Sequence, residues 1–149
     1  MPLKGDRYEL DTDISFFMNE TASRGVVVSV NTAGSGAAMD HALALATVKA
    51  NPSGAYPLGV LLNDMVDLDL TRQHLNQHKD EVQKGGKVTI LRKGWVVTNS
   101  VVGSPTAGAD AYLAGTGLAS SVQAAGALKI GQFLSNKDAD GFIKLSVNL

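Results

Sequence analysis

The sequence contains no cysteine, and this absence excludes several kinds of site at once. Disulfide scaffolds, thiolate zinc sites and cysteine nucleophiles all need a residue that is missing from these 149 positions. A chain of this length can bury a core without such cross-links. We therefore expect one domain without disulfides, made in a reducing cytoplasm.

Aromatic residues are also scarce, at 5% of the chain. Neither sign of charge is in clear excess, since the formal net charge is −1. Nucleic-acid-binding proteins generally carry a basic excess, often with aromatic residues on which bases stack. No stretch approaches the ~20 apolar residues of a membrane span, and the N-terminus lacks the apolar run of a secretory signal. We expect a soluble chain with no nucleic-acid partner and no membrane partner.

Small apolar residues and turn residues are plentiful, with 44% of the chain apolar and 16 glycines. Several short apolar runs, rich in β-branched residues and bounded by glycine or proline, have the length of strands. They are residues 25–30, 58–62, 87–91, 95–98, 111–113, 130–135 and 142–147. This spacing predicts an all-β fold, a small β-barrel or β-sandwich with at most one short helix.

The last run alternates, with Phe142 and Lys144 on one parity and Ile143 and Leu145 on the other, which predicts one buried and one wet face. Residues 92–94 and 138–141 each end in glycine and are predicted to be hairpin turns.

Two segments are ambiguous. Residues 37–50 include an alanine-rich stretch that suits either a helix or a buried strand, and we favour a strand. Residues 72–84 form a polar stretch whose apolar positions keep no clean helical register, so it is either a short helix or a loop.

The first 24 residues alternate acidic and polar side chains around one apolar cluster, and we interpret them as an extended N-terminal arm preceding a domain of residues 25–149. The cluster consists of Ile14, Phe16, Phe17 and Met18. These side chains either pack back on their own domain or anchor an interface with another chain, which is the capsid or a second subunit. Both alternatives remain open at this stage.

No motif for catalysis or for a cofactor is evident. His74 and His78 have the spacing of a helical metal pair, but a solvated polar loop is the commoner setting for such residues. Asp138 and Asp140 resemble the start of a calcium loop, yet Val147 stands where its glutamate is required. We therefore expect no enzyme, no metal and no cofactor.

From Val66 onward, the sequence resembles tailed-phage virion proteins described as structural or head-decoration proteins. The resemblance is carried by VDLDLTRQH at 66–74, NQHKDEVQ at 76–83, GGKV at 85–88, GWVVTN at 94–99, PTAG at 105–108, AYL at 111–113, GQFLS at 131–135 and KDADG at 137–141. It implies a cement protein, commonly a homotrimer, on the outer surface of the icosahedral capsid of the virion. Such a protein binds the major capsid protein, bridges neighbouring capsomers, and has neither cofactor nor catalytic residue.

Two alternatives lack any catalytic group as well. One is another virion component, namely a tail, baseplate or head-fibre module. The other is a small-molecule or carbohydrate binder that uses Trp95 and Tyr112 for stacking. The apolar run after Trp95 favours a place in the core for this residue.

Overall fold

The protein is built from β-strands in the computed structural model, which describes residues 3–18, 20–30, 45–47, 56–64, 81–82 and 87–149. Within these ranges there is no α-helix, and only a short 3-10 helix occurs, at Gly115–Gly117. The strands are β1 (Leu3–Met18), β2 (Ala22–Ser23), β3 (Val27–Val30), β4 (Leu45–Thr47), β5 (Pro57–Asp64), β6 (Glu81–Val82), β7 (Lys87–Thr98), β8 (Asp110–Leu113), β9 (Ala119–Ser120), β10 (Lys129–Phe133) and β11 (Ile143–Asn148). The predicted all-β class is confirmed.

The long strand β7 organises the main sheet. Strand β1 runs antiparallel to it along one edge, while the other edge pairs first with β5 and then with β11. Strands β3 and β4 connect β5 back to β1, and β10, β8 and β9 continue the sheet beyond β11. The backbone after β7 returns to β9, where the Val102 amide donates to the Ala119 carbonyl at 2.8 Å. The result is a nearly closed, barrel-like sheet.

Two apolar cores lie on opposite faces of β3, β5 and the first half of β7. The main core contains Phe133 and Val27, and the second core contains Val28 and Leu61. Because successive side chains of a strand point to opposite faces, these strands bury apolar residues on both sides. The apolar runs at 25–30, where Ser29 is the one polar residue, and at 58–62 follow from this double burial.

The sequence prediction of two strands joined by a hairpin at residues 92–94 is wrong, because β7 continues through this segment. The pairing with β1 is irregular here: Gly94 lies opposite Glu9 and Leu91 lies opposite Thr12. Glycine and charged residues are typical of a bulge as well as of a turn. At this irregularity β7 changes partner from β5 to β11. Odd-numbered residues such as Leu91 face the main core before it, and even-numbered residues such as Val96 face the main core after it.

The predicted alternation of the last strand is confirmed. Ile143 and Leu145 are buried in the main core, whereas Lys144 is only half-buried on the other face. The predicted turn at 138–141 is also confirmed: one Asp138 carboxylate oxygen accepts hydrogen bonds from the backbone amides of Asp140 and Phe142, at 3.0 and 2.8 Å. That oxygen therefore stabilises the turn.

The two ambiguous segments lie mostly outside the described residues. Within 37–50, the described part is β4, which agrees with the strand interpretation. Within 72–84, the described part is β6, which pairs with β2, so a helix over the whole segment is excluded. His74 and His78 lie outside the described residues.

Candidate interaction surface

Strand β1 is fixed at its two ends and exposed between them. Leu3 lies in the main core with 6% exposure, and Met18 lies in the second core with 1% exposure. Every residue from Lys4 to Thr12 is exposed, although β1 pairs with β7 across this stretch. We call residues 4–12 the exposed edge segment. Its side chains add little to either core, so the core alone does not explain why it carries large apolar residues.

Two such residues lie in the exposed edge segment: Tyr8 is 52% exposed and Leu10 is 65% exposed. On the edge of β1 that faces away from β7, the pairing with β4 involves only Phe17 and Met18. In the part of the chain that the structure describes, no strand pairs with that edge between Lys4 and Thr12. An unpaired strand edge with exposed apolar side chains is a ready template for another chain.

The four residues expected to anchor an interface are separated by the structure. Ile14 is 47% exposed, so its side chain is accessible to another chain. Phe16 is half-buried against the second core, and Met18 is a buried member of that core. The side chain of Phe17 lies outside the described residues. A contact of Ile14 with the capsid or another subunit, and the division into an arm and a domain at residue 24, stay predictions.

The outer face of the main sheet carries a row of side chains that follows the register from strand to strand. Tyr8 lies opposite Trp95, Trp95 opposite Ser146, Ser146 opposite Gln132, and Gln132 opposite Asp110. The row therefore extends from the exposed edge segment across four further strands. Sequence reasoning missed it because only the register places these five residues side by side.

Charged side chains lie on this outer face both beside Trp95 and at the far end of the row, beside Asp110. The Lys144 ammonium lies 3.7 Å from the centroid of the Trp95 ring, a cation–π contact that covers one face of the indole. Lys129 and Asp110 form an ion pair at 3.0 Å, and the hydrogen bond from Lys129 lowers the pKa of the Asp110 carboxyl. Trp95 is thus half-buried on the outer face and not in the core where the sequence placed it.

A shallow polar depression lies on the same face between β10 and β11. Its lining consists of Lys129, Ile130, Gly131, Gln132, Ser146 and Asn148. Sugar-binding sites generally need an aromatic platform, and this lining contains none. Lys144 also covers one face of Trp95, one of the two aromatic residues on which the carbohydrate-binding alternative relies, and the other, Tyr112, is half-buried in β8.

The described residues contain neither a metal centre nor a membrane-spanning helix. Among them, no group of three or more His, Asp or Glu side chains is arranged to hold a metal ion. No helix within the same ranges is long and apolar enough to cross a membrane.

Comparison with known families decides the kind of protein to which this sheet belongs. A family model described as the XM1 gp53 minor capsid protein matches residues 6–147. The chain belongs to the XM1 gp53 minor capsid protein family. No curated protein matches it significantly.

Membership of this family makes the chain a structural protein of a phage capsid. It confirms the capsid part of the resemblance seen in the sequence. The match begins at Asp6 and so includes most of the exposed edge segment, which precedes the residues that carried the resemblance.

Proposed function

We propose that the chain decorates the outer surface of the icosahedral capsid and stabilises it by bridging neighbouring capsomers. The observation that carries this proposal is the exposed edge segment, which presents Tyr8 and Leu10 to solvent between two buried anchors. Family membership supports a partner in the capsid, and we take this partner to be the major capsid protein.

The exposed apolar residues supply part of the binding energy. Fully burying a large apolar side chain contributes roughly 1.5–3 kcal/mol before the costs of association. Tyr8, Leu10 and Ile14 together therefore give each copy a modest affinity for the shell. A bridge between capsomers acts through many copies, so modest binding by each copy is sufficient.

We further propose that the protein acts as a homotrimer. The resemblance to head-decoration proteins implies this state, and closed symmetry is the usual way to limit association to a finite size. Sedimentation of the full-length chain at micromolar concentration should give a trimer mass. A monomer in solution, together with single copies on the shell, would refute the trimer.

The experiment that tests decoration uses capsids that lack this protein. Purified full-length chain is added to expanded shells, the particles are imaged by electron cryomicroscopy, and their resistance to heating is measured. Density on the outer surface at capsomer joints, with a higher temperature of shell disruption, is expected. Absence of binding to the shell, or localisation of the protein to the tail, baseplate or a head fibre, would contradict the proposal.

A pair of matched variants tests the contribution of the exposed edge segment. Leu10→Asp should weaken shell binding at least about tenfold, because it places a charge in an apolar contact. Val122→Asp is the control, since Val122 is 75% exposed but lies in a loop outside β1. Both variants should fold normally. Equal shell binding by the two variants would show that the segment is not the contact.

A further inference from the structure

We propose that two copies of this chain pair edge to edge through their exposed edge segments, antiparallel about a two-fold axis that passes through Tyr8. This contact joins copies through the backbone edge of β1 centred on Tyr8, and it leaves the exposed Leu10 and Ile14 side chains for the capsid contact proposed above. It therefore goes beyond the binding of the capsid. The register, the charges and the aromatic residue of β1 all favour it.

The register of β1 singles out the centre of the contact. Strands β1 and β7 pair without interruption across Arg7, Tyr8 and Glu9, and shifts in register occur before Arg7 and after Glu9. Regular backbone geometry is what an added strand requires, since its hydrogen bonds must follow the same ladder. The regular stretch is short and has Tyr8 at its middle.

The charges favour the antiparallel arrangement centred on this residue. Within one chain, Arg7 and Glu9 form an ion pair at 2.6 Å, so both side chains lie on the same side of the strand. With the axis at Tyr8, each Arg7 lies opposite Glu9 of the other copy. Opposite charges at directly facing positions stabilise a strand pair, and like charges destabilise it.

Neighbouring registers each bring like charges together. Moving the axis by half a residue towards either end places Asp6 opposite Glu9 or opposite Asp11. Moving it by a whole residue places Arg7 or Glu9 opposite itself. A parallel, in-register pair would stack every charge on its own copy. The register centred on Tyr8 avoids all of these repulsions.

The aromatic residues point to the same register. Tyr8 lies directly opposite Trp95 on the outer face and is half exposed on its free side. Pairing about Tyr8 would place the two tyrosines next to each other and create a continuous row of Trp95, Tyr8, Tyr8 and Trp95 across the joined sheets. Aromatic cross-strand pairs of this kind stabilise sheets.

The contact is small, so it should be weak between free copies and effective where copies are concentrated. A two-fold contact is also separate from a three-fold one, and it would join copies that belong to different trimers into a net. The test below is made in solution and needs no capsid. Its failure would therefore leave the proposed binding to the shell unaffected.

The absence of cysteine allows a direct test by disulfide trapping. Full-length Arg7→Cys and Glu9→Cys chains, one carrying a mass tag, are mixed at high concentration under mild oxidation. Facing residues in an antiparallel pair are within disulfide distance, and the mixed pair keeps one Arg7–Glu9 contact. Heterodimers should therefore exceed either homodimer about fivefold or more. Homodimers as abundant as heterodimers, or no dimers at all, would overturn the proposal.

Charge exchange in the cysteine-free chain supplies a second test, read by sedimentation. Arg7→Glu and Glu9→Arg should each abolish the two-fold association, because each puts like charges opposite one another. An equimolar mixture of these two variants, or the double variant with both changes, should associate as the natural chain does. If the single variants associated as strongly as the natural chain, the register centred on Tyr8 would be excluded.

Discussion

Single positions show how closely the backbone of β1 is packed against β7. Gly94 has a φ of +137°, and a Cβ added there would lie 2.0 Å from the carbonyl oxygen of Tyr8. Both the backbone conformation and the close approach require glycine. The glycine that appeared in the sequence to mark a hairpin turn is instead what lets β1 lie against β7 at the irregularity.

We expect Gly94→Ala to lower the free energy of unfolding by about 2–4 kcal/mol, since it combines a strained φ with a backbone clash. Chemical denaturation of the full-length chain would measure this loss. Gly5→Ala is the matched control, because Gly5 lies in the same strand with nothing within 4 Å of its Cβ position. An equal stability of the two variants would show that β1 does not pack on β7 at Gly94.

At the scale of the element, β1 is the strand whose role the sequence left open. Its first part is exposed while its end lies in the second core, so one strand contributes both to a surface and to stability.

Met18→Ala should lower the free energy of unfolding by about 2–5 kcal/mol, because it removes a side chain with 1% exposure from the second core.

Ile14→Ala is the control in the same strand and should change that free energy by less than about 0.5 kcal/mol. Ile14 is 47% exposed, so its loss leaves no cavity. Thermal unfolding of both variants distinguishes the two positions. Similar losses at Met18 and Ile14 would mean that the apolar cluster acts as one unit, as the sequence treated it.

The sequence correctly predicted strands in which the alternation of apolar and polar residues matches their buried and exposed faces. Strand β11 has one buried and one wet face, and its alternation shows this directly. Strand β7 was divided wrongly because a bulge and a turn use the same residue types. The apolar cluster could not be divided into Met18 and Ile14, since a register shift between Asp13 and Phe16 breaks the simple alternation of β1.

At the scale of the whole molecule, the candidate surface depends on long-range pairing that local pattern does not encode. The row from Tyr8 to Asp110 brings together residues from five strands. The composition had already favoured a structural protein over an enzyme, and the family match places the chain in a phage capsid. The residues that make the surface were identifiable only once the strands were paired.

The two cores should unfold as one unit, because β3, β5 and β7 contribute side chains to both of them. Leu61 is fully buried in the second core, and Leu61→Ala should cost about 2–5 kcal/mol. Trp95 is the only tryptophan of the chain, and it lies in the half of β7 that pairs with β11 beside the main core.

The fluorescence of Trp95 therefore reports on a part of the sheet remote from Leu61. In a denaturant titration of Leu61→Ala, the midpoint from Trp95 fluorescence should fall together with the midpoint from far-ultraviolet circular dichroism, as two-state unfolding requires. Leu134→Ala should leave both midpoints nearly unchanged, since Leu134 is 45% exposed. If the fluorescence midpoint stayed in place while the dichroism midpoint fell, the second core would be a separate folding unit. Cooperative loss would instead couple β1, through Met18 and Leu61 in the shared second core, to the stability of the entire sheet.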